Sequence, residues 1–142
     1  MENISHKGKK KWMLIMLILF SIVVCAMSGE RVAPLRFNHL SNVLMETHIP
    51  EIPYIHLTDS KYHDRGYLHA NYEFDGRKYY KDDVADEIIR KLKKSGYRIK
   101  VFDLSDKGFY IVAKKQRFLL DITGSINSFY VTVDDEDIMR IT

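Results

Sequence analysis

His39, His48, His56, His63 and His69 fall within thirty-one consecutive residues, and imidazole is the commonest side-chain ligand of a metal ion. Their spacing argues against a metal centre. No two stand four apart on a helical pattern, and neither an HxH nor an HExxH arrangement occurs. Solvated histidines in an extended segment are the expectation.

Nucleophilic chemistry has no evident seat. Ser125 stands in TGSIN (residues 123–127), which is not a G-x-S-x-G elbow and lies between two strand patterns rather than between strand and helix. Cys25 is the only cysteine, so a disulfide framework is excluded. Val24 before it is not the small residue that lipidation requires, and Cys25 reads as a small apolar side chain. Two carboxylates can converge from distant positions in any fold, but spacing gives no reason to select Glu73 and Asp121 as such a pair. The acidic run DDED (residues 134–137) lacks the alternating donors and turn glycine of a calcium loop, and reads as a solvated turn. Neither G-x-x-x-x-G-K-[ST] nor G-x-G-x-x-G occurs. The expectation is therefore no catalytic residue, no metal ligand and no cofactor.

Tyrosine offers recognition rather than catalysis. If the apolar alternates of each strand turn inward, Tyr67, Tyr110 and Tyr130 share the opposite face, and Tyr79 and Tyr80 precede a helix. Such a face has the composition of a surface that binds protein or glycan. The plainer reading, that strands favour tyrosine even when solvated, has equal weight.

These side chains need elements to hold them. YLHANYEF (residues 67–74) alternates Leu68, Ala70, Tyr72 and Phe74 against polar partners, the pattern of a half-buried strand, and Asp75-Gly76 turns the chain. KDDVADEIIRKLKKSGY (residues 81–97) predicts a helix capped by Asp82 or Asp83. Its stripe is Val84, Ala85, Ile88, Ile89 and Leu92, with lysines in the last turn and Gly96 as the stop. Strand patterns follow at 98–104, 109–114, 118–123 and 128–133. In the first of these, Ile99 and Val101 compete with Phe102 and Leu104 for the inner face. The order β-α-β-β-β-β, with short polar connections, predicts an α+β domain. One helix packs on a mainly antiparallel sheet in two layers, over residues 67–142, which are expected to fold alone.

Residues 29–66 hold all three prolines and read as an extended stalk, with a short helix around Leu40, Val43 and Leu44. Residues 1–28 form an export element: Lys7, Lys9, Lys10 and Lys11 precede an uncharged apolar run over residues 12–27. Sixteen residues at ~1.5 Å each reach about 24 Å, short of the ~30 Å hydrocarbon core. Ala26 and Ser28 suit a signal peptidase. The reading taken is a retained single-pass anchor in the cytoplasmic membrane with the C-terminal domain outside. The alternative is cleavage after Ser28, giving a secreted or periplasmic protein.

Charge follows that division. Of 22 basic and 19 acidic residues, the leader holds four lysines and one glutamate, so the remainder is formally neutral. A nucleic-acid partner is not expected. A basic patch at Lys91, Lys93, Lys94, Arg98 and Lys100 reads first as a solvated helix end and second as a contact for anionic headgroups. Together these readings predict a non-enzymatic exported envelope protein whose partner is another protein, in an accessory or inhibitory (immunity-type) role. Tyr67, Tyr110 and Tyr130 would form its working surface. The alternative is a small hydrolase of cell-wall glycan or peptide.

Overall fold

A computed structural model describes Met13, residues 15–18 and residues 36–139. The chain divides into two compact units, Met1–Arg36 and Phe37–Thr142. In the first, Met13 and residues 15–18 are helical with exposed side chains. Among the described residues no helix is long and apolar enough to cross a membrane. Most of the anchor expected over residues 12–27, and the cleavage site at Ser28, lie outside the described residues.

The second unit is α+β. Helix α1 (residues 36–46) and a 3-10 turn (Ile49–Glu51) precede strands β1 (Ile55–His63) and β2 (Tyr67–Phe74). Helix α2 (Lys81–Lys94) follows, then β3 (Arg98–Ser105), β4 (Gly108–Lys115), β5 (Phe118–Gly124), β6 (Ser128–Asp135) and the short α3 (Glu136–Met139). The six strands form one sheet in the order β1-β2-β6-β5-β4-β3, with every neighbouring pair antiparallel. Helix α2 carries the chain from β2 to the far edge, and a four-strand meander returns until β6 lies beside β2.

The expected order β-α-β-β-β-β omits β1. From Phe37 onward the segment read as a stalk is built into the second unit, and α1 buries Leu40, Val43 and Leu44. Ile49, Ile52 and Ile55 are buried with them in the single core. The strand was illegible because Ile55 is its only buried residue. An edge strand of this kind is held by its ladder to β2, whose register runs from Ile55–Phe74 to His63–Tyr67, more than by an apolar face.

The core lies on one face of the sheet. Leu68, Ala70, Tyr72 and Phe74 of β2, Phe109, Ile111 and Ala113 of β4, Leu120 and Ile122 of β5, and Phe129, Val131 and Val133 of β6 are all buried there. They meet Val84, Ala85, Ile88 and Leu92 of α2. Alternation selects this set because successive strand side chains point to opposite faces. Tyr72 and Tyr97 are included, and burial pushes both phenols up to about 12.

Helix α2 starts differently from the expectation. Tyr80 occupies the N-cap without a side-chain bond, and Asp82 and Asp83 sit in the first turn, where they act on the helix dipole instead. Its end is a Schellman motif: Tyr97 N–H donates to Leu92 O at 2.9 Å and Gly96 N–H to Lys93 O at 3.1 Å, with Gly96 at φ 87°.

The competing alternations in β3 are both used. The ladder to β4 slips between Ile99 and Val101, so Lys100 is an extra residue. Ile99 then pairs with Ala113 on the core side, as Phe102 and Leu104 pair with Ile111 and Phe109, while Val101 joins Val112 on the other face.

The acidic run is not a solvated turn. Asp134 and Asp135 complete β6, and Asp135 is almost fully buried. Its carboxylate lies 3.3 Å from Arg117 Nε and 3.7 Å from His39 Nε2, and it accepts the Asp137 N–H at 3.1 Å. A buried carboxylate survives only with such partners, which here join α1, the β4–β5 turn and α3 to the sheet.

Candidate functional site: the open face of the sheet

Both described helices that reach the core do so from one side, which leaves the other face of the sheet open among the described residues. Directly opposed residues of an antiparallel ladder share a face, so the pairing defines this surface row by row. The first row reads His63, Tyr67, Asp134, Leu119, Lys114, Arg98 from β1 to β3. The second is Lys61, His69, Thr132, Asp121, Val112, Val101, and the third Asp59, Asn71, Tyr130, Thr123, Tyr110, Asp103.

Tyr67, Tyr110 and Tyr130 therefore lie on one face, but in two different settings. Tyr110 O–H donates to Asp121 Oδ2 at 2.8 Å, and this bond, with burial second, holds its phenol above the usual range. It is a fixed polar group more than a free ring. Tyr67 and Tyr130 belong to an aromatic strip that includes two histidines. The His63 and Tyr67 rings stack at 4.4 Å, His63 meets His69 edge-on at 6.1 Å, and His69 lies 4.7 Å from Tyr130. His69 Nδ1 is 3.3 Å from Thr132 Oγ1, which orients the ring.

The sequence expectation for His63 and His69 is solvated side chains outside the tyrosine surface. They come together because β1 and β2 form a hairpin through Asp64, Arg65 and Gly66, and Gly66 has φ 92°. The three-residue turn ending in glycine between KYH and YLH was the available signal. Among the described residues no three potential ligands lie close enough to hold a metal.

The acids pair otherwise than as considered. Glu73 stands beside Ser128 and His56 at the margin of the face, whereas Asp121 lies two strands away. The neighbour of Asp121 is Asp134, diagonal to it across β5 and β6. Burial first, and Asp121 second, raise the Asp134 carboxyl above its ordinary value.

A groove of about 380 Å³ opens beside Tyr130, lined by Thr58, Asn71, Glu73, Thr123, Ser125 and Ser128 among others. Ser125 is held by its own loop, with Oγ 3.0 Å from Ser128 Oγ and 3.3 Å from Asn127 Oδ1, and among the described residues no histidine bonds to it or lines the groove. Neither Asp121 nor Asp134 lines the groove. The surface can thus offer aromatic rings, an amide, hydroxyls and carboxylates to a partner laid across it. No family model matches this sequence, and neither a curated protein nor a solved structure matches it.

Proposed function

We propose that this chain is a non-enzymatic binding module of the cell envelope, displayed outside the cytoplasmic membrane by residues 12–27, whose open sheet face docks another protein. The observation that carries the reading is the aromatic strip His63, Tyr67, His69 and Tyr130, which stays at the surface while every core contact is made from the opposite side. Rings of this kind supply large contact area at small entropic cost, with polar tips that tolerate water in the free protein. Tyr110 adds a pre-oriented hydroxyl through Asp121.

The test is the paired change Tyr67→Ser and Tyr130→Ser in the full chain. Folding should be nearly unaffected, since neither ring belongs to the core. Partner capture from the envelope should fall by the ~2 kcal/mol or more that a central aromatic anchor contributes, at least about thirtyfold in affinity. Unchanged capture by a folded variant would refute the docking face.

A hydrolase is the second reading, favoured by the diagonal pair Asp121 and Asp134, of which Asp134 has a raised pKa. Against it, the pair stands outside the groove, where water is not excluded and a transition state would gain little from fixed dipoles. Asp121→Asn with Asp134→Asn separates the readings: loss of cell-wall turnover at retained partner binding would favour the enzyme.

A further inference from the structure

We infer that the concavity at the C-terminal end of α2 is a binding site for a phosphate-bearing anion. It encloses about 460 Å³ and is lined by Gly96, Arg98, Lys100, Lys114, Lys115 and Gln116. Only part of this cluster is contiguous in sequence; the β3–β4 ladder adds Lys114 and Lys115 to Arg98 and Lys100.

Three observations carry the inference. First, Arg98 and Lys114 are direct cross-strand partners, and like charges in that position repel. Lys114 has one acidic neighbour, Glu136, at 2.7 Å. Arg98 and Lys100 have no ion pair among the described residues. An anion between them would relieve that repulsion. Second, Gln116 sits at φ 54° in the two-residue β4–β5 turn, a left-handed conformation that costs a residue with a side chain but not glycine. The two-residue hairpin demands this positive φ, and the tight turn it makes sets Lys115 and Gln116 at the rim of the concavity. Third, the negative end of α2, which would repel an anion, is already occupied: Lys115 Nζ donates to Ser95 O at 2.8 Å. Lys91, Lys93 and Lys94 in the last turn add further positive potential.

Phosphate fits this cluster better than a carboxylate. Its several oxygens and higher charge can satisfy a guanidinium fork and more than one ammonium at once. The site shares Arg98 and Lys114 with the first row of the open face but uses none of His63, Tyr67, His69 or Tyr130, so it does not depend on the aromatic strip.

The full chain in zwitterionic detergent micelles, titrated at low salt with inorganic phosphate, should show saturable shifts of the Gly96, Arg98, Lys100 and Gln116 amide signals. A second arm replaces the phosphate by micelles doped with phosphatidylglycerol. A response to free phosphate assigns a soluble phosphorylated ligand, and a response to doped micelles alone assigns a lipid headgroup. Arg98→Glu with Lys100→Glu should weaken either response at least about tenfold, since each charge-assisted bond is substantial. The same charge change at Lys78 and Lys107, outside the groove, should alter it by less than about twofold. Silence in both arms, or equal weakening by the two double variants at matched melting temperature, overturns the assignment.

Discussion

Asp134 stands in the first row of the open face between Tyr67 and Leu119, half-buried and without an ion pair among the described residues. Burial, then the charge of Asp121, makes its ionised form costly, so the folded protein holds this proton to a higher pH than the unfolded chain does. Between the ordinary value of 3.8 and the raised one the native state binds more protons, and stability falls as pH rises through that window. Asp134→Asn should therefore stabilise the protein at neutral pH, with the gain fading as the pH drops below the ordinary aspartate value. Urea unfolding across the pH range checks this; a gain independent of pH would mean that ionisation is not the cause. At Gln116 the argument concerns backbone. Gln116→Gly removes the left-handed penalty and should add about 0.5–1 kcal/mol, read as a shift in the denaturation midpoint.

At the scale of elements, α2 holds the core closed over the meander. Ile88 is fully buried at its centre, among sheet residues from several strands. Ile88→Ala should cost about 2–5 kcal/mol by urea unfolding, the range for deleting most of a packed aliphatic side chain. A cost below about 1 kcal/mol would show that α2 does not press on the sheet as described. The β3 bulge shows how an element can defeat simple alternation. One extra residue at Lys100 changes parity, so Ile99, Phe102 and Leu104 can all face the helix side. Phe102 and Leu104 remain substantially exposed there, because β3 is the edge strand.

At the scale of the molecule, residues 37–66 belong with the sheet. Leu40, Val43, Leu44, Ile49, Ile52 and Ile55 are all buried in the one core. At about 1.5–3 kcal/mol for each buried aliphatic side chain, their loss matches the whole stability of an ordinary domain, about 5–15 kcal/mol. The expectation that residues 67–142 fold alone is thus revised. A chain of residues 37–142 should unfold cooperatively, whereas one of residues 67–142 should be unfolded or aggregated. Circular dichroism and thermal melts of the two chains decide it. A cooperative melt of the shorter chain within a few degrees of the longer would show that α1 and β1 are accessory. Their placement also governs the proposed surface, because α1 joins the core side and β1 extends the open face by His63, Lys61 and Asp59.

Local periodicity determined much of this protein. The stripe of α2, its glycine stop and the inward residues of β2, β4, β5 and β6 were legible because each pattern repeats within a few residues and the core enforces it. The common face of Tyr67, Tyr110 and Tyr130 followed from the same parity. Only the tertiary structure decided what depends on pairing between distant segments. Strand β1 buries one residue and exists through its ladder to β2. His63 reaches Tyr67 and His69 through a hairpin, Asp135 is buried by α1 and Arg117, and Lys114 is set beside Arg98 by the β3–β4 register. Such contacts are chosen by the register of one strand on another and by which side the helices cover, and these leave little periodic trace in the chain that makes them.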